Sequence, residues 1–337
     1  MKKIFTRPKD VAVLFIAAIS ISLAISENSI AEAENTAFYD YLHQANPLPA
    51  MIAYNPSNIN PDKPQLSVEQ MTEKVHSDLN CLRSGFDGLV LYSYSPDITP
   101  IVIDQANSLG YRGILLGIWD VKSKQEISGV LELIRKYNRK LAFAVVVGNE
   151  GINDNRYSLE DVKATGTMLS ETGLAKMNIP MTTSEPMSRY GLVELRNFGD
   201  FLAPNIHPLF DRADLGPKEA VNWVHSRADA LAKIAKKPVF VKETGLPNGG
   251  NPNNTPEQQY EFWSTWHDKG SITNLTNIPN LWISFAAIFE AFDSPWKAVK
   301  SGNPVEGRWG LLNEKLQKYP AFDVFSDKNQ TCFPSKK

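Results

Sequence analysis

Short, continuous apolar segments recur along the chain, and longer amphipathic stretches separate them. The eight segments cover residues 50–54, 88–92, 112–119, 141–147, 180–184, 201–207, 238–241 and 281–289. Apolar residues follow one another in most of these segments instead of alternating with polar ones, which is typical of strands that are buried on both faces. The pattern therefore predicts a parallel sheet whose two faces are both covered.

Helix signals occupy the intervals between these segments. The sequence Ser67-Val68-Glu69-Gln70 has the form of a capping box with Ser67 as N-cap. Thr99-Pro100 and Thr255-Pro256 each place a threonine N-cap before a proline at the first helical position. The predicted helices cover residues 67–82, 99–109, 124–137, 159–172, 217–236 and 255–267.

Strand-like segments that alternate with helices predict an α/β fold, and eight of them predict a (β/α)8 TIM barrel. A doubly wound open sheet is the alternative. That fold usually carries a glycine-rich phosphate loop after its first strand, and Tyr54-Asn55-Pro56-Ser57 is not such a loop. We assign a single barrel domain to residues 47–335 and an N-terminal lead-in to residues 34–46.

The first 33 residues have the three parts of a secretory signal peptide. Residues 1–10 contain four basic side chains, and residues 11–25 form an uncharged core that is too short to span a bilayer. Ala31-Glu32-Ala33 supplies the small residues of a cleavage site. We expect cleavage after Ala33 and export from the cytoplasm, to the medium, the periplasm or the cell envelope. An uncleaved membrane anchor is the alternative; after cleavage no integral membrane domain is expected.

The composition and the net charge of the chain limit the kinds of molecule that it is expected to bind. The chain is 42% hydrophobic and 21% charged with a net charge of −2, which fits a globular protein and not a disordered one. A charge near zero disfavours a nucleic-acid interface, since phosphate binding needs a basic surface. Five histidines without paired spacing indicate no metal site, and we expect no cofactor. Cys81 and Cys332 could pair in an oxidising compartment, or both could remain buried thiols.

Two glutamates follow strand-like segments at the positions where a barrel builds its active site, the carboxyl ends of the strands. Glu150 follows the fourth segment and Glu243 follows the seventh. Two carboxylates are the minimum for glycoside hydrolysis, because one must protonate the leaving oxygen while the other attacks the anomeric carbon. A salt bridge to a basic loop residue is the alternative role of each glutamate.

Several motifs resemble those of glycoside hydrolase family 17, the β-1,3-glucanase family. Val147-Gly148-Asn149-Glu150 resembles the acid/base motif, and the KETGLP sequence of residues 242–247 resembles the nucleophile motif, with Leu246 in place of the usual tryptophan. Further similar motifs, in family order, are Leu91-Tyr92, Asn205-Ile206-His207-Pro208, residues 290–297 and residues 308–311. The resemblance covers roughly residues 48–325. It implies a retaining enzyme with Glu150 as general acid/base and Glu243 as the nucleophile that forms a glycosyl-enzyme.

Other side chains near the strand ends are predicted to bind substrate or to support this pair. They are Tyr54, Tyr92, Asn149, Glu185, His207, Glu290, Trp296 and Lys297. Asn149 could bond a sugar 2-hydroxyl or serve as a turn residue, and Glu185 could bond a sugar hydroxyl or hold a loop. The resemblance implies a subsite role for Glu290 with Lys297, which could equally form a simple ion pair. Trp119 and Trp296 are candidate stacking platforms for sugar rings.

The sequence therefore predicts a secreted retaining glycosidase that hydrolyses a β-glucan, with β-1,3-glucan as the favoured substrate. A glucanosyltransferase is an alternative, because it shares the glycosyl-enzyme and differs only in using a sugar hydroxyl as acceptor. A glycan-binding barrel without activity is a second alternative, although such a protein need not keep both Glu150 and Glu243.

Overall fold

The computed structural model describes residues 36–44, 49–63, 65–275, 278, 280–326 and 332, and the predicted signal peptide lies outside them. The strands are β1 Met51–Ala53, β2 Gly88–Leu91, β3 Gly113–Ile118, β4 Ala142–Asn149, β5 Met181–Ser184, β6 Val239–Phe240, β7 Ile272–Asn274, β8 Trp282–Ser284 and β9 Ala287–Ile288. The helices are α1 Ala37–Leu42, α2 Val68–Leu82, α3 Thr99–Ser108, α4 Lys124–Tyr137, α5 Leu159–Leu169, α6 Val193–Asn197, α7 Pro208–Asp211, α8 Pro217–Ala235, α9 Pro256–Asp268 and α10 Pro295–Ser301.

The strands pair in parallel to form a closed ring. Six strands pair in the order β5-β4-β3-β2-β1-β9, and β6 pairs in parallel with β8, which also carries the antiparallel strand β7. Asn205 forms parallel bridges to Pro186 and Glu243, and Leu202 forms a parallel bridge to Val239. The segment from Leu202 to Asn205 therefore lies between β5 and β6 in the ring. Because β8 and β9 belong to one segment, the ring closes with eight parallel segments. The predicted (β/α)8 barrel is confirmed.

Two separate cores explain why the strand segments are apolar throughout. On β2, Leu89 and Leu91 pack outward among the helices, whereas Val90 packs inside the barrel. On β4, Val145 faces the helices in the same way and Val146 faces the interior. Successive side chains of a strand point to opposite faces, so a strand with helices on one side and the barrel interior on the other needs apolar residues at every position.

Helix α1 contributes to the interior core. Phe38 and Tyr41 are buried there, and the Tyr41 hydroxyl donates a 2.8 Å hydrogen bond to Asp87 just before β2. A side chain at Gly88 or Gly113 would collide with the Tyr41 ring or its hydroxyl, so glycine is required at both positions. The lead-in thus packs against the first residues of the strands, at the end of the barrel opposite the strand carboxyl ends.

The helix starts follow the predicted caps with one exception. Ser67 forms a complete capping box with Gln70, and the Thr255 side chain caps α9. The prediction for Thr99 was wrong, because α3 begins at Thr99 itself with Ile98 as N-cap. The Thr99 hydroxyl accepts a 2.8 Å hydrogen bond from the backbone N–H of Ser95, which orders the loop before the helix instead.

Cys81 of α2 and Cys332 form a disulfide across 251 residues of sequence, the first of the two predicted alternatives. The bond ties a residue near the end of the chain to a helix early in the barrel. Among the residues that the structure describes, no helix has both the length and the apolar character to span a membrane.

Candidate active site

Glu150 stands directly after β4, and its position is held by backbone and side-chain contacts. It adopts a left-handed backbone conformation with φ of 53°, which is uncommon for a residue other than glycine and is often found at functional sites. Its N–H donates to the carbonyl of Ser184 at 2.8 Å, and its Oε1 accepts from Asn205 Nδ2 at 2.7 Å. Ser184 Oγ donates to Asn205 Oδ1 at 3.0 Å, which orients the amide so that its NH₂ group faces Glu150.

Glu243 follows the seventh parallel segment and is held between two basic side chains. Lys242 Nζ donates to Oε1, and His207 Nε2 lies 3.4 Å from Oε2. Glu243 is 5% exposed and Lys242 only 1%, so the contact between them is screened from solvent. The Asn205 backbone bridges to Glu243 while its side chain bonds Glu150, so one residue links the two carboxylates.

The two glutamates occupy opposite electrostatic environments. Burial, followed by repulsion from Glu243, raises the pKa of Glu150 above its ordinary value, although the Asn205 hydrogen bond opposes the change. Burial alone would also raise the pKa of Glu243, but Lys242 and His207 outweigh it and lower that pKa to about 2. One carboxyl is therefore suited to carry a proton and the other to stay ionised, which is the division of roles that glycoside hydrolysis requires.

Tyr92 and Asn149 lie beside the pair. Asn149 is 7% exposed, and its Oδ1 accepts from Asn205 Nδ2 at 3.3 Å. The ring of Tyr92 lies 4.5 Å from Lys242 Nζ, and its hydroxyl is buried near Glu243. Burial and the negative charges of Glu243 and Glu290 raise the pKa of Tyr92, so this hydroxyl remains a donor.

Glu290 and Lys297 form the ion pair that was predicted as one alternative. Lys297 Nζ donates to Glu290 Oε2 at 2.6 Å, while the buried Oε1 has no hydrogen-bond partner within the described part of the chain. Burial raises the pKa of Glu290 in spite of Lys297. Oε1 of Glu290 is therefore available to accept a hydrogen bond from a ligand. Trp296, the neighbouring residue on α10, is half-buried.

His207 is packed among aromatic rings. Its imidazole meets Trp309 edge-on at 5.1 Å and Phe289 at 5.5 Å between ring centres. These contacts fix the ring with Nε2 toward Glu243.

The contacts of Glu185 and Tyr54 do not match the predicted role in substrate binding. Glu185 is fully buried, and its two oxygens accept from the backbone N–H groups of Ile152 and Asn153 at 2.9 and 3.0 Å. It therefore holds the loop after Glu150, which was its alternative role. Tyr54 is 1% exposed and its hydroxyl bonds Asp78, so it belongs to the core.

Three residues near the pair were not assigned a role from the sequence. Asn205 and Lys242 stand inside the motifs of residues 205–208 and 242–247, but no role was predicted for either side chain. Arg156 lies in a loop beyond the strand end, where no pattern marks it. Its guanidinium stacks 4.0 Å from the ring of Trp119, which is 40% exposed, and it donates to the carbonyl of Asn149.

Potential metal ligands do not cluster in the part of the chain that the structure describes, where no group of three or more histidine, cysteine or acidic residues could hold an ion.

The chain is similar to known proteins in sequence and in fold. A putative glucan endo-1,3-beta-glucosidase (btgC) of Aspergillus niger is 21% identical over 314 residues, which cover 85% of this chain and 43% of that protein. The chain thus spans less than half the length of this relative. A glycoside hydrolase family 17 beta-1,3-glucanosyltransferase from Rhizomucor miehei has a similar fold, with a TM-score of 0.62 at 18% identity over 82% of this chain and 98% of that one.

An endo-laminarinase from Formosa Hel1_33_131 has a TM-score of 0.64 at 17% identity, over 84% of this chain and 90% of that one. The resemblance to glycoside hydrolase family 17 that the motifs indicated is confirmed. Residues 51–310 match the family described as the BtgE/BtgC glycoside hydrolase domain, which is most of the barrel. The chain belongs to the BtgE/BtgC glycoside hydrolase domain family.

Proposed function

We propose that this protein is a retaining glycosidase that hydrolyses β-1,3-glucan through a covalent glycosyl-enzyme. The observation that supports the proposal most strongly is the Glu150–Glu243 pair. The two carboxylates follow the fourth and seventh strand segments of one barrel, are linked through Asn205, and have pKa values displaced in opposite directions. Membership of a glycoside hydrolase family supplies the reaction class.

In the first step the ionised Glu243 attacks the anomeric carbon while the glycosidic C–O bond breaks. Glu150 gives its proton to the departing oxygen, and a glycosyl ester of Glu243 forms. The hydrogen bond from Asn205 and the left-handed backbone hold Glu150 in place for this transfer.

In the second step Glu150, now ionised, removes a proton from water, and the water oxygen attacks the anomeric carbon. The ester bond to Glu243 breaks, and the sugar leaves with its original configuration. Retention of configuration predicts carboxyl groups about 5–5.5 Å apart, against about 6.5–9.5 Å for inversion.

The rest of the site supports a neutral sugar as substrate. Among the described residues, the unpartnered Oε1 of Glu290 is an acceptor for a sugar hydroxyl, and the protonated hydroxyl of Tyr92 is a nearby donor. Both lie close enough to Glu243 for its charge to affect their pKa values. We expect Asn149 to bond the sugar 2-hydroxyl, a contact that strengthens in the transition state. The names of the relatives favour a β-1,3 linkage.

We also propose that residues 1–33 are a signal peptide, that the barrel acts outside the cytoplasm, and that it works on cell-wall or other extracellular glucan. The Cys81–Cys332 disulfide supports this placement, since such bonds persist in oxidising compartments. Intact-mass measurement of the exported protein would show whether the chain begins at Glu34.

Glucanosyl transfer is the second candidate, because a structurally similar protein is described as a glucanosyltransferase. Both reactions use the same ester of Glu243 and differ in whether water or a sugar hydroxyl attacks it. Incubation with short β-1,3-oligosaccharides separates them: transfer yields chains longer than the starting material, whereas hydrolysis yields only shorter ones.

A panel of soluble β-1,3-, β-1,4- and β-1,6-glucans tests the main proposal. We expect turnover of the β-1,3 polymer, and a loss of roughly 10³-fold or more in kcat for Glu243→Gln. Glu132→Gln, on the exposed side of α4, is the matched control and should retain full activity. Equal turnover by wild type and Glu243→Gln would refute the proposal, and binding without cleavage by wild type would favour a glycan-binding barrel.

A further inference from the structure

Lys242 is a cation inside the barrel. Strand side chains alternate in direction, and Phe240, two residues earlier, lies in the interior core while Val241 packs outward among the helices. Lys242 therefore points inward with Phe240, and it is 1% exposed. An ammonium group is rarely buried in this way without a partner, because its removal from water is costly.

The partners of this ammonium are part of the active site. Within the described residues, Lys242 Nζ donates to Glu243 Oε1 and lies 4.5 Å from the ring of Tyr92. The carboxylate compensates the buried charge, and the ring adds a cation–π contact. No other ion pair of Lys242 occurs among these residues. Its charge thus acts on the catalytic pair.

The two oxygens of Glu243 have different neighbours. Oε1 accepts a hydrogen bond from Lys242, whose side chain is 2% exposed. Oε2 faces His207, whose side chain is 13% exposed. Oε2 therefore lies on the side nearer to solvent and to an incoming substrate.

We propose that Lys242 is a positioning residue that holds Oε1 of Glu243 from inside the barrel, keeps the carboxylate ionised and leaves Oε2 to attack the anomeric carbon. The inference rests on the proposed function of the Glu150–Glu243 pair. In the reaction the C1–Oε2 bond forms as the glycosidic C1–O bond breaks, and the departing oxygen takes its proton from Glu150. Lys242 exchanges no proton and stays bonded to Oε1.

The electrostatics around Glu243 agree with this role. Five charged or titratable groups interact electrostatically with the Glu243 carboxylate. They are Lys242, His207, Tyr92, Glu150 and Glu290. Of these, Glu150, Glu290 and burial favour the protonated form of Glu243, and the two basic residues favour the ionised form. The charge of Lys242 comes first among the causes that lower the pKa of Glu243, so loss of this charge should raise that pKa.

The test uses Lys242→Met, which removes the charge and shortens the side chain by one atom, and Lys242→Gln as a second neutral variant. Lys237→Met is the matched control. Lys237 stands just before β6 on the same segment, and its Nζ donates to the backbone carbonyls of Phe198 and Gly199 at 3.3 and 2.8 Å, away from the catalytic pair. Thermal unfolding establishes that each variant is folded.

The first measurement is the dependence of kcat/KM on pH with a soluble β-1,3-glucan. We expect the midpoint of the acidic limb to move to higher pH by about 1–3 units in both Lys242 variants, which is the usual effect of losing an adjacent opposite charge. The limb should stay in place in Lys237→Met, and KM should change little because Lys242 does not touch the sugar. An unchanged limb in folded Lys242→Met and Lys242→Gln would overturn the proposal.

The second measurement does not depend on activity. The Glu243 carboxyl carbon is followed by ¹³C NMR during a pH titration, and its signal is assigned by its disappearance in Glu243→Gln. We expect this carboxyl to titrate at higher pH in Lys242→Met than in the wild type. Equal titration in the two proteins would refute the role of Lys242. If the wild type cleaved no glucan, the proposed function would fail while this titration still tested the contact.

Discussion

At the scale of single residues, the two glutamates differ in the atoms that surround them. Glu150 receives one hydrogen bond from the neutral amide of Asn205, whereas the two oxygens of Glu243 contact the basic side chains of Lys242 and His207. Neutral partners leave a buried carboxyl with a raised pKa, and cations lower it. This asymmetry favours Glu150 as the acid/base and Glu243 as the nucleophile, and chemical rescue can test the assignment.

We expect azide to rescue the two alanine variants with opposite stereochemistry. In Glu150→Ala, azide can attack the glycosyl ester of Glu243 from the face that water normally uses, which gives a β-glycosyl azide. In Glu243→Ala, azide can occupy the place of the missing carboxylate and attack directly, which gives an α-glycosyl azide. An activated aryl β-glucoside or oligoglucoside serves as substrate, because its leaving group needs little help from an acid.

The configuration of each azide product is read from the ¹H NMR coupling of the anomeric proton. Exchanged outcomes would reverse the assignment of Glu150 and Glu243, and rescue of neither variant would remove both from the covalent mechanism. Glu132→Ala, with azide present, should give only the product of the wild type.

At the scale of strands and loops, the apolar pattern predicted the eight barrel segments because burial on both faces leaves a clear signal in sequence. It predicted the strand-end positions of Glu150 and Glu243 for the same reason. It did not separate Glu185 from them, since all three acids end a strand and only the direction of the side chain differs. That direction depends on the loop of residues 151–157, whose folding is not encoded in a periodic pattern.

The same loop leads to a prediction about Glu185. Its two oxygens accept the N–H groups of Ile152 and Asn153, the second and third residues after Glu150. Glu185→Gln replaces one acceptor by an NH₂ group that faces an N–H donor, which should lower the free energy of unfolding by about 1–3 kcal/mol. We expect kcat to fall as well, with KM less affected, because Glu150 loses its support. Urea unfolding and steady-state kinetics measure the two effects.

Glu194→Gln, an exposed substitution on α6, provides the comparison for Glu185→Gln. It should change neither the unfolding midpoint nor kcat. A rise in KM alone in Glu185→Gln would instead support the contact with a sugar hydroxyl that the sequence suggested for Glu185.

At the scale of the whole molecule, the barrel is held by contacts that are distant in sequence. The ring closes where β9 pairs with β1, helix α1 packs into the interior core, and the Cys81–Cys332 bond joins residues 251 positions apart. Closure of so long a loop restricts the unfolded chain, which is the main way in which a disulfide stabilises a protein in the chain-entropy view. The active site uses none of these groups, so stability and catalysis should respond separately.

We therefore expect the double variant Cys81→Ala/Cys332→Ala to lose about 2–4 kcal/mol of unfolding free energy while keeping the kcat/KM of the wild type at 25 °C. Alanine suits the position because Cys81 is 2% exposed and a hydroxyl there would be buried. Dithiothreitol should lower the thermal midpoint of the wild type and leave that of the double variant unchanged, which separates loss of the bond from loss of the side chains. Equal midpoints of the oxidised wild type and the double variant would show that the bond does not stabilise the barrel. A parallel fall in kcat/KM at 25 °C would show instead that α2 communicates with the strand ends at which Glu150 and Glu243 lie.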